Sequence, residues 1–230
     1  SIFVNPTQFN NAEDLQKYPR TLQKDAGLLE SLGVHFVFAP TPEEMYSTEE
    51  MQTRFSFDFN GLDEVMEGKM RPGHFNGVVQ VVSRLFELVR PTRAYFGEKD
   101  FQQLAIIRHM VEHSALSSHF NNLKIVGCPI VREASGLALS SRNERLSDSE
   151  KQTAVAISQT LLASVEWAKT DSIEAVQKRV IDTINAIDGL EVEYYEIVDK
   201  STLQPTTTFD NAIGCVTVYC GPVRLIDNIQ

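Results

Sequence analysis

The chain has 230 residues, 42% of them hydrophobic, which is enough to bury a substantial core in one large domain or two small ones. A formal net charge of −10 and a pI of about 5.0 argue against non-specific binding to nucleic acid or to an anionic membrane, since both need a positive surface. Apolar residues run through the whole length, so a disordered chain is excluded, and no apolar stretch reaches the length of a membrane span.

In chain order, Ser1–Asn5 reads as the end of a buried strand that Asn5-Pro6 must terminate, because proline has no N–H for the ladder. Leu22, Ala26, Leu29 and Leu32 are spaced as one stripe of a helix over 21–32, closed by Gly33. Val34–Phe38 follows as a second buried strand, stopped by Pro40. Thr53–Asn60 alternates Phe55, Phe57 and Phe59, which suits a half-buried strand. A helix is predicted over 75–89, on the stripe Val78, Val82, Leu85, Phe86 and Val89. Ala94–Phe96 then reads as a strand, 100–115 as a helix and Leu123–Gly127 as a strand. Alternating β and α elements over 1–127 predict an α/β, Rossmann-like doubly wound parallel sheet.

The pattern changes after Cys128-Pro129. Ser147 with Glu150 makes a capping-box pair opening a helix that carries Ala154, Ile157, Leu161, Leu162 and Val165. Asp171 with Glu174 offers a second helix start, followed by Ile173, Val176, Val180, Ile184 and Ile187. Val192–Val198 and Ala212–Tyr219 read as strands. The expected organisation is a larger domain over 1–128 and a smaller C-terminal α+β domain over 129–230. Three cysteines, an odd number without metal-ligand spacing, fit free thiols in a reducing cytoplasm.

Three loops concentrate polar chemistry. Gly97-Glu98-Lys99-Asp100-Phe101-Gln102-Gln103 joins a strand to a helix, where open parallel sheets bind ligands and where helix N–H groups and a lysine favour anions. Gln8 follows Asn5-Pro6 at another predicted strand end, with an amide that both donates and accepts. Ser140-Ser141-Arg142-Asn143 sets two hydroxyls and a guanidinium within three residues, a composition suited to phosphate oxygens. Taken singly, each is equally an ordinary polar turn.

In this order and with these intervals, the segments resemble the pantothenate synthetase (pantoate–β-alanine ligase) family. The likeness includes Tyr18–Leu22, Phe38–Pro40, Glu67-Gly68, Arg71–Phe75, the Gly97–Gln103 loop, Gly136–Asn143 and Arg224–Asn228. The resemblance implies a nucleotidyltransferase-type fold and an ATP-dependent condensation of pantoate with β-alanine through a pantoyl adenylate, with release of AMP and pyrophosphate. It also implies Mg²⁺, a homodimer and a cytoplasmic location. It assigns Gln8 and Gln103 to pantoate. Gly97, Glu98 and Asp100 fall near the nucleotide, Val131 and Leu139 at adenine, and Lys99, Ser140, Ser141 and Arg142 at the phosphates. Arg71 orders the site, and no protein side chain is assigned to a metal; His74 is read as structural or as a support behind the residues that touch substrate.

The family pattern also includes a β–α unit with a Pro-Thr-Met-Gly turn and a His-x-Gly-His pair before the first strand read here; the present chain reads as starting after it. Two alternatives accompany the ligase reading: another adenylate-forming or nucleotidyl transferase of the same fold, or a non-catalytic fragment. His109-Met110-Val111-Glu112-His113 matches a metalloprotease pattern. Helical periodicity puts both histidines on the face opposite Leu104, Ile107 and Val111, without a third ligand, and the match is read as accidental.

Overall fold

Residues 93–128 form the strand–helix–strand unit that the alternating pattern predicts, in a computed structural model that describes residues 1–52, 55–113, 120 and 122–230. Strands β1 (Arg93–Gly97) and β2 (Lys124–Cys128) pair in parallel, with Arg93 opposite Lys124 and Gly97 opposite Cys128. A helix, Phe101–His113, connects them and buries Leu104, Ile106, Ile107 and Met110; residues 114 and 115 of the expected helix lie outside the described residues. Ahead of β1 runs the helix His74–Val89, entered from Gly73 in the left-handed region. Its stripe buries Val78, Val82 and Phe86, whereas Val89 at its end is exposed.

Three expected strands are corrected. Ser1–Asn5 and Val34–Phe38 form no strand; Ile2 N–H donates to the Phe38 carbonyl at 2.8 Å, but no ladder extends from that bond among the described residues. A buried strand needs partners for its backbone groups, and Val34–Phe38 instead lies open, with Phe36 92% exposed. The helix Leu22–Ser31 forms and is closed by Gly33 at φ 77°, yet Leu22, Leu28 and Leu32 face solvent. Residues 55–59 form no strand, and Thr53 and Arg54 lie outside the described residues. Phe57 packs edge-on against Phe59 and His109 there, so the alternation of phenylalanines reflects packing on the helix Phe101–His113.

The C-terminal half is built on an antiparallel sheet of β3 (Leu190–Asp199), β4 (Ala212–Cys220) and β5 (Val223–Ile229), with β4 central. Helix Asp148–Trp167 starts in the predicted capping box, the Ser147 hydroxyl accepting from Glu150 N–H while the Glu150 carboxylate accepts from Ser147 N–H. Of the apolar residues it carries, Ala154, Ile157 and Leu161 are buried while Leu162 and Val165 are exposed. The next helix, Ile173–Asn185, is capped by Ser172, one residue later than expected. Both faces of β4 are covered. Ile213 and Cys215 share a core with Phe75, Val79 and Ile106 of the N-terminal half. Val216, Val218 and Cys220 pack with Ile157, Leu161, Val180 and Ile184. One sheet therefore joins the two halves. Among the described residues no helix is long and apolar enough to cross a membrane.

Candidate active site

The Gln8 loop is held from beneath by a buried asparagine. Asn5, 2% exposed, caps the 3-10 turn Pro6–Gln8; its Nδ2 donates to the Gly77 carbonyl at 2.9 Å and its Oδ1 accepts from the Tyr46 hydroxyl at 3.0 Å. Gly77 permits this approach, since a Cβ there would stand 2.5 Å from the Thr7 carbonyl oxygen. Gly77→Ala is expected to destabilise the fold by about 2–3 kcal/mol and to displace Gln8. A urea midpoint equal to that of the parent would contradict this close packing.

His74 ties the loop to Arg71. Its Nδ1 lies 2.8 Å from the Gln8 carbonyl and its Nε2 lies 3.3 Å from Arg71 Nη1. A carbonyl and a guanidinium fix the tautomer: Nδ1–H donates to the carbonyl and Nε2 accepts from arginine. Burial, reinforced by the Arg71 charge, pushes the imidazole down to about 4, so it is neutral near pH 7. The expected structural role of His74 thus acquires a specific content, the aiming of Arg71.

Glu67 is the hub of the same region. The short helix Met66–Met70 packs so closely that a Cβ at Gly68 would overlap the Asp63 carbonyl. Gln102, 4% exposed, staples this segment by donating to the Leu62 and Val65 carbonyls and accepting from Glu67 N–H. The Glu67 carboxylate takes two bonds from Arg224, at 2.7 and 2.8 Å, and one each from the Tyr194 and Thr217 hydroxyls. It also pairs with Arg71 at 3.5 Å. Burial alone would raise this carboxyl; the hydrogen bonds and charge of Arg224 outweigh it and hold the group at about 2.

The Gly97–Gln103 loop leaves the carboxyl end of β1 as a 3-10 turn over Glu98–Asp100. Asn228 on β5 donates from one amide nitrogen to the Glu98 and Lys99 carbonyls, at 2.8 and 3.0 Å. The turn's backbone is thereby pinned while the Lys99 side chain stays without a salt bridge among the described residues. Next to Asn228, the buried Asp227 receives both terminal nitrogens of Arg132, at 2.7 and 3.0 Å. Arg132 and Ala138 bridge, and Leu139 N–H donates to the Val131 carbonyl, so Val131 and Leu139 are backbone neighbours, both exposed.

Ser140 caps the 3-10 turn Ser141–Arg145. Its two arginines reach across to the helix α1 (Ala12–Lys17), where Asp14 accepts from Arg142 at 2.9 Å and from Arg145 at 2.8 Å. The Ser141 hydroxyl bonds Tyr18, and the Arg142 guanidinium sits 5.6 Å from the centre of the Tyr18 ring.

Arg71, Lys99, Asp100, Ser140 and Arg142 line one cleft of about 350 Å³ between the halves. Gln103 lines a smaller cavity beside it with Arg71 and Lys99. Gln8 faces an adjoining hollow of about 470 Å³ along with His74, and Leu139, Ser140 and Ser141 line a fourth space of about 760 Å³ with Tyr18. Gly97, Glu98 and Val131 line none of these four spaces. The sequence reading assigns nothing to Asp14, Arg145, Glu193, Tyr194 and Thr217, and includes Glu67, Arg224 and Asp227 only as motif letters without a role. A signal existed for some: Thr217 interrupts an apolar run, and Arg224 and Asp227 sit in a segment otherwise rich in apolar residues, where a buried charge requires a partner.

A parallel β–α–β unit with a cleft rich in charged side chains at the strand's carboxyl end, faced by an antiparallel sheet, makes this an α/β protein, and the solved structures it resembles give it the nucleotidyltransferase-like fold. The family model described as pantoate-beta-alanine ligase matches residues 1–230. The chain is 60% identical to the pantothenate synthetase of Phocaeicola vulgatus over 233 residues, covering all of this chain and 80% of the relative. The crystal structure of the Thermus thermophilus pantothenate synthetase superposes with a TM-score of 0.91 at 42% identity, over 100% of this chain and 81% of that one. A Francisella tularensis pantoate-beta-alanine ligase, solved with beta-gamma ATP and beta-alanine, matches with a TM-score of 0.76 at 34% identity, over 100% and 77%. The chain belongs to the pantoate-beta-alanine ligase family, whose members form a C–N bond.

Proposed function

We propose that this protein joins pantoate to β-alanine in two steps at the inter-domain cleft. The pantoate carboxylate attacks the α-phosphorus of ATP, forming a carboxyl–phosphorus oxygen bond as pyrophosphate leaves. The β-alanine amine then attacks the acyl carbon, the C–O bond to AMP breaks, and the nitrogen gives up a proton. No enzyme nucleophile is required, so the protein's task is to position the reactants and stabilise charge. The observation that carries the reading is the convergence of Arg71, Lys99, Ser140 and Arg142, from separate segments, on a single cleft.

In this scheme Lys99 and Arg142, with Ser140 and Ser141, neutralise the triphosphate. Gln8 and Gln103 hold pantoate through uncharged amides, Gly97, Glu98 and Asp100 lie toward the ribose, and Val131 and Leu139 offer backbone groups to adenine. Among the described residues no group of three or more His, Cys, Asp or Glu is arranged around a common point. Mg²⁺ would arrive on the phosphate oxygens and offset their charge there. A homodimer in the cytoplasm completes the proposal. With pantoate, ATP and β-alanine supplied, AMP and pantothenate are expected in equal amounts; without β-alanine, pyrophosphate–ATP exchange should depend on pantoate. Exchange supported by other acids and not by pantoate would move the assignment to a different adenylate-forming enzyme.

A further inference from the structure

The cleft holds six cationic and five acidic side chains, an excess of one positive charge. A triphosphate carries several negative charges, so a carboxylate able to withdraw from the cleft would favour its binding. The acidic residues differ in how firmly they are placed. Glu67 keeps 12% of its side-chain surface, receives Arg224, Tyr194 and Thr217, and belongs to a packed core segment. Glu193 keeps 16% and is fixed on β3 by Arg224. Asp14 is different: it rides on α1, a helix of six residues none of which is buried. Lifting α1 therefore exposes little apolar surface.

Asp14 also presents its two oxygens to two separate guanidiniums, Arg142 at 2.9 Å and Arg145 at 2.8 Å, both about a quarter exposed. Two arginines converging on one oxyanion is the arrangement that recognises a phosphoryl group. We infer that Arg142 and Arg145 form a paired phosphate-binding site and that the Asp14 carboxylate occupies it in the free protein, to be displaced by a phosphate group of the nucleotide or of pyrophosphate. The inference rests on the proposed role of Arg142 at the triphosphate and adds two elements to it: Arg145 as a second ligand, and α1 as a detachable mask. The Tyr18 ring, at the end of α1 and 5.6 Å from the Arg142 guanidinium, is untouched by substitution of Asp14, so the Asp14 variants keep that contact.

The test is titration calorimetry of the whole protein with inorganic pyrophosphate and, separately, with ATP. Asp14→Asn and Asp14→Ala are each expected to lower the pyrophosphate Kd about fivefold, the scale of a partly exposed ion pair removed from competition. Arg145→Gln is expected to raise it by a similar factor, and the double variant Asp14→Asn/Arg145→Gln should lose most of the gain, because the two residues act on one site. Circular dichroism confirms that each variant is folded. An unchanged or higher Kd in both Asp14 variants would overturn the mask and leave Asp14 as a structural clamp. Arg142→Gln separates the two levels: if it leaves both Kd values untouched, the triphosphate assignment fails as well; if it weakens them while the Asp14 variants do not tighten binding, the mask alone fails.

Discussion

Lys99→Ala is expected to reduce pyrophosphate–ATP exchange by about 10²–10³-fold, the range seen when one preorganised charge-stabilising donor is removed from an active site. The side chain lines the cleft with Arg71, Ser140 and Arg142 and forms no salt bridge among the described residues. Its charge is therefore available to a ligand, whereas Arg142 is held by Asp14 and Arg224 by two glutamates. The fold should survive, because what anchors this turn is backbone: the Asn228 amide bonds the Glu98 and Lys99 carbonyls, and alanine keeps both. Lys99→Arg should recover part of the exchange, since charge is restored but a planar fork replaces a point charge. Exchange near the parental rate in Lys99→Ala, with an unaltered melting temperature, would remove the lysine from the chemistry.

Glu67→Gln is expected to produce the largest loss of stability, about 3–5 kcal/mol, because it leaves Arg224 and Arg71 without their shared counter-charge in a mostly buried setting. For a chain of this length that corresponds to a fall in melting temperature of roughly 10 °C. The effect should depend on pH with a definite sign. The folded protein holds the Glu67 carboxyl at about 2, below its ordinary 4.5, so its contribution is complete above 4.5 and is lost as the pH falls from there toward 2. His74, held at about 4 against 6.5, adds an earlier loss: the unfolded chain takes up its proton first, so stability declines from pH 6.5 toward 4. Denaturant midpoints at pH 7, 5 and 3 should show the gap between parent and Glu67→Gln narrowing in the acid range. A gap of constant size would mean that Glu67 stabilises by packing and not by charge.

The longer helices were legible because their signals are local, whereas the short helices α1 and Met66–Met70 were not read. The capping box at Ser147 and Glu150 and the stripe Ile173, Val176, Val180 and Ile184 need only neighbours within a turn or two, and the structure reproduces them. Strands depend on a partner elsewhere in the chain, and here the reading divided. Ala94–Phe96 and Leu123–Gly127 found each other, while Val34–Phe38, apolar enough for a buried strand, stayed unpaired and exposed. Val223–Ile229 went the other way: Arg224 and Asp227 break its apolar pattern, yet it pairs with β4 because each charge meets a partner, Glu67 for one and Arg132 for the other.

The residue string alone settled the family, since the Gly97–Gln103, Arg71–Phe75 and Gly136–Asn143 motifs recur in order, and it located the loops that carry Gln8, Lys99 and Arg142. It could not say which cations are open to a ligand. Asp14 and Arg145 lie 131 positions apart, and Glu67 and Arg224 lie 157 apart. Coulomb attraction and hydrogen bonding act over a few ångströms, so pairs so distant along the chain exist only once folding has set β5 against the Lys99 turn and α1 against the arginine turn.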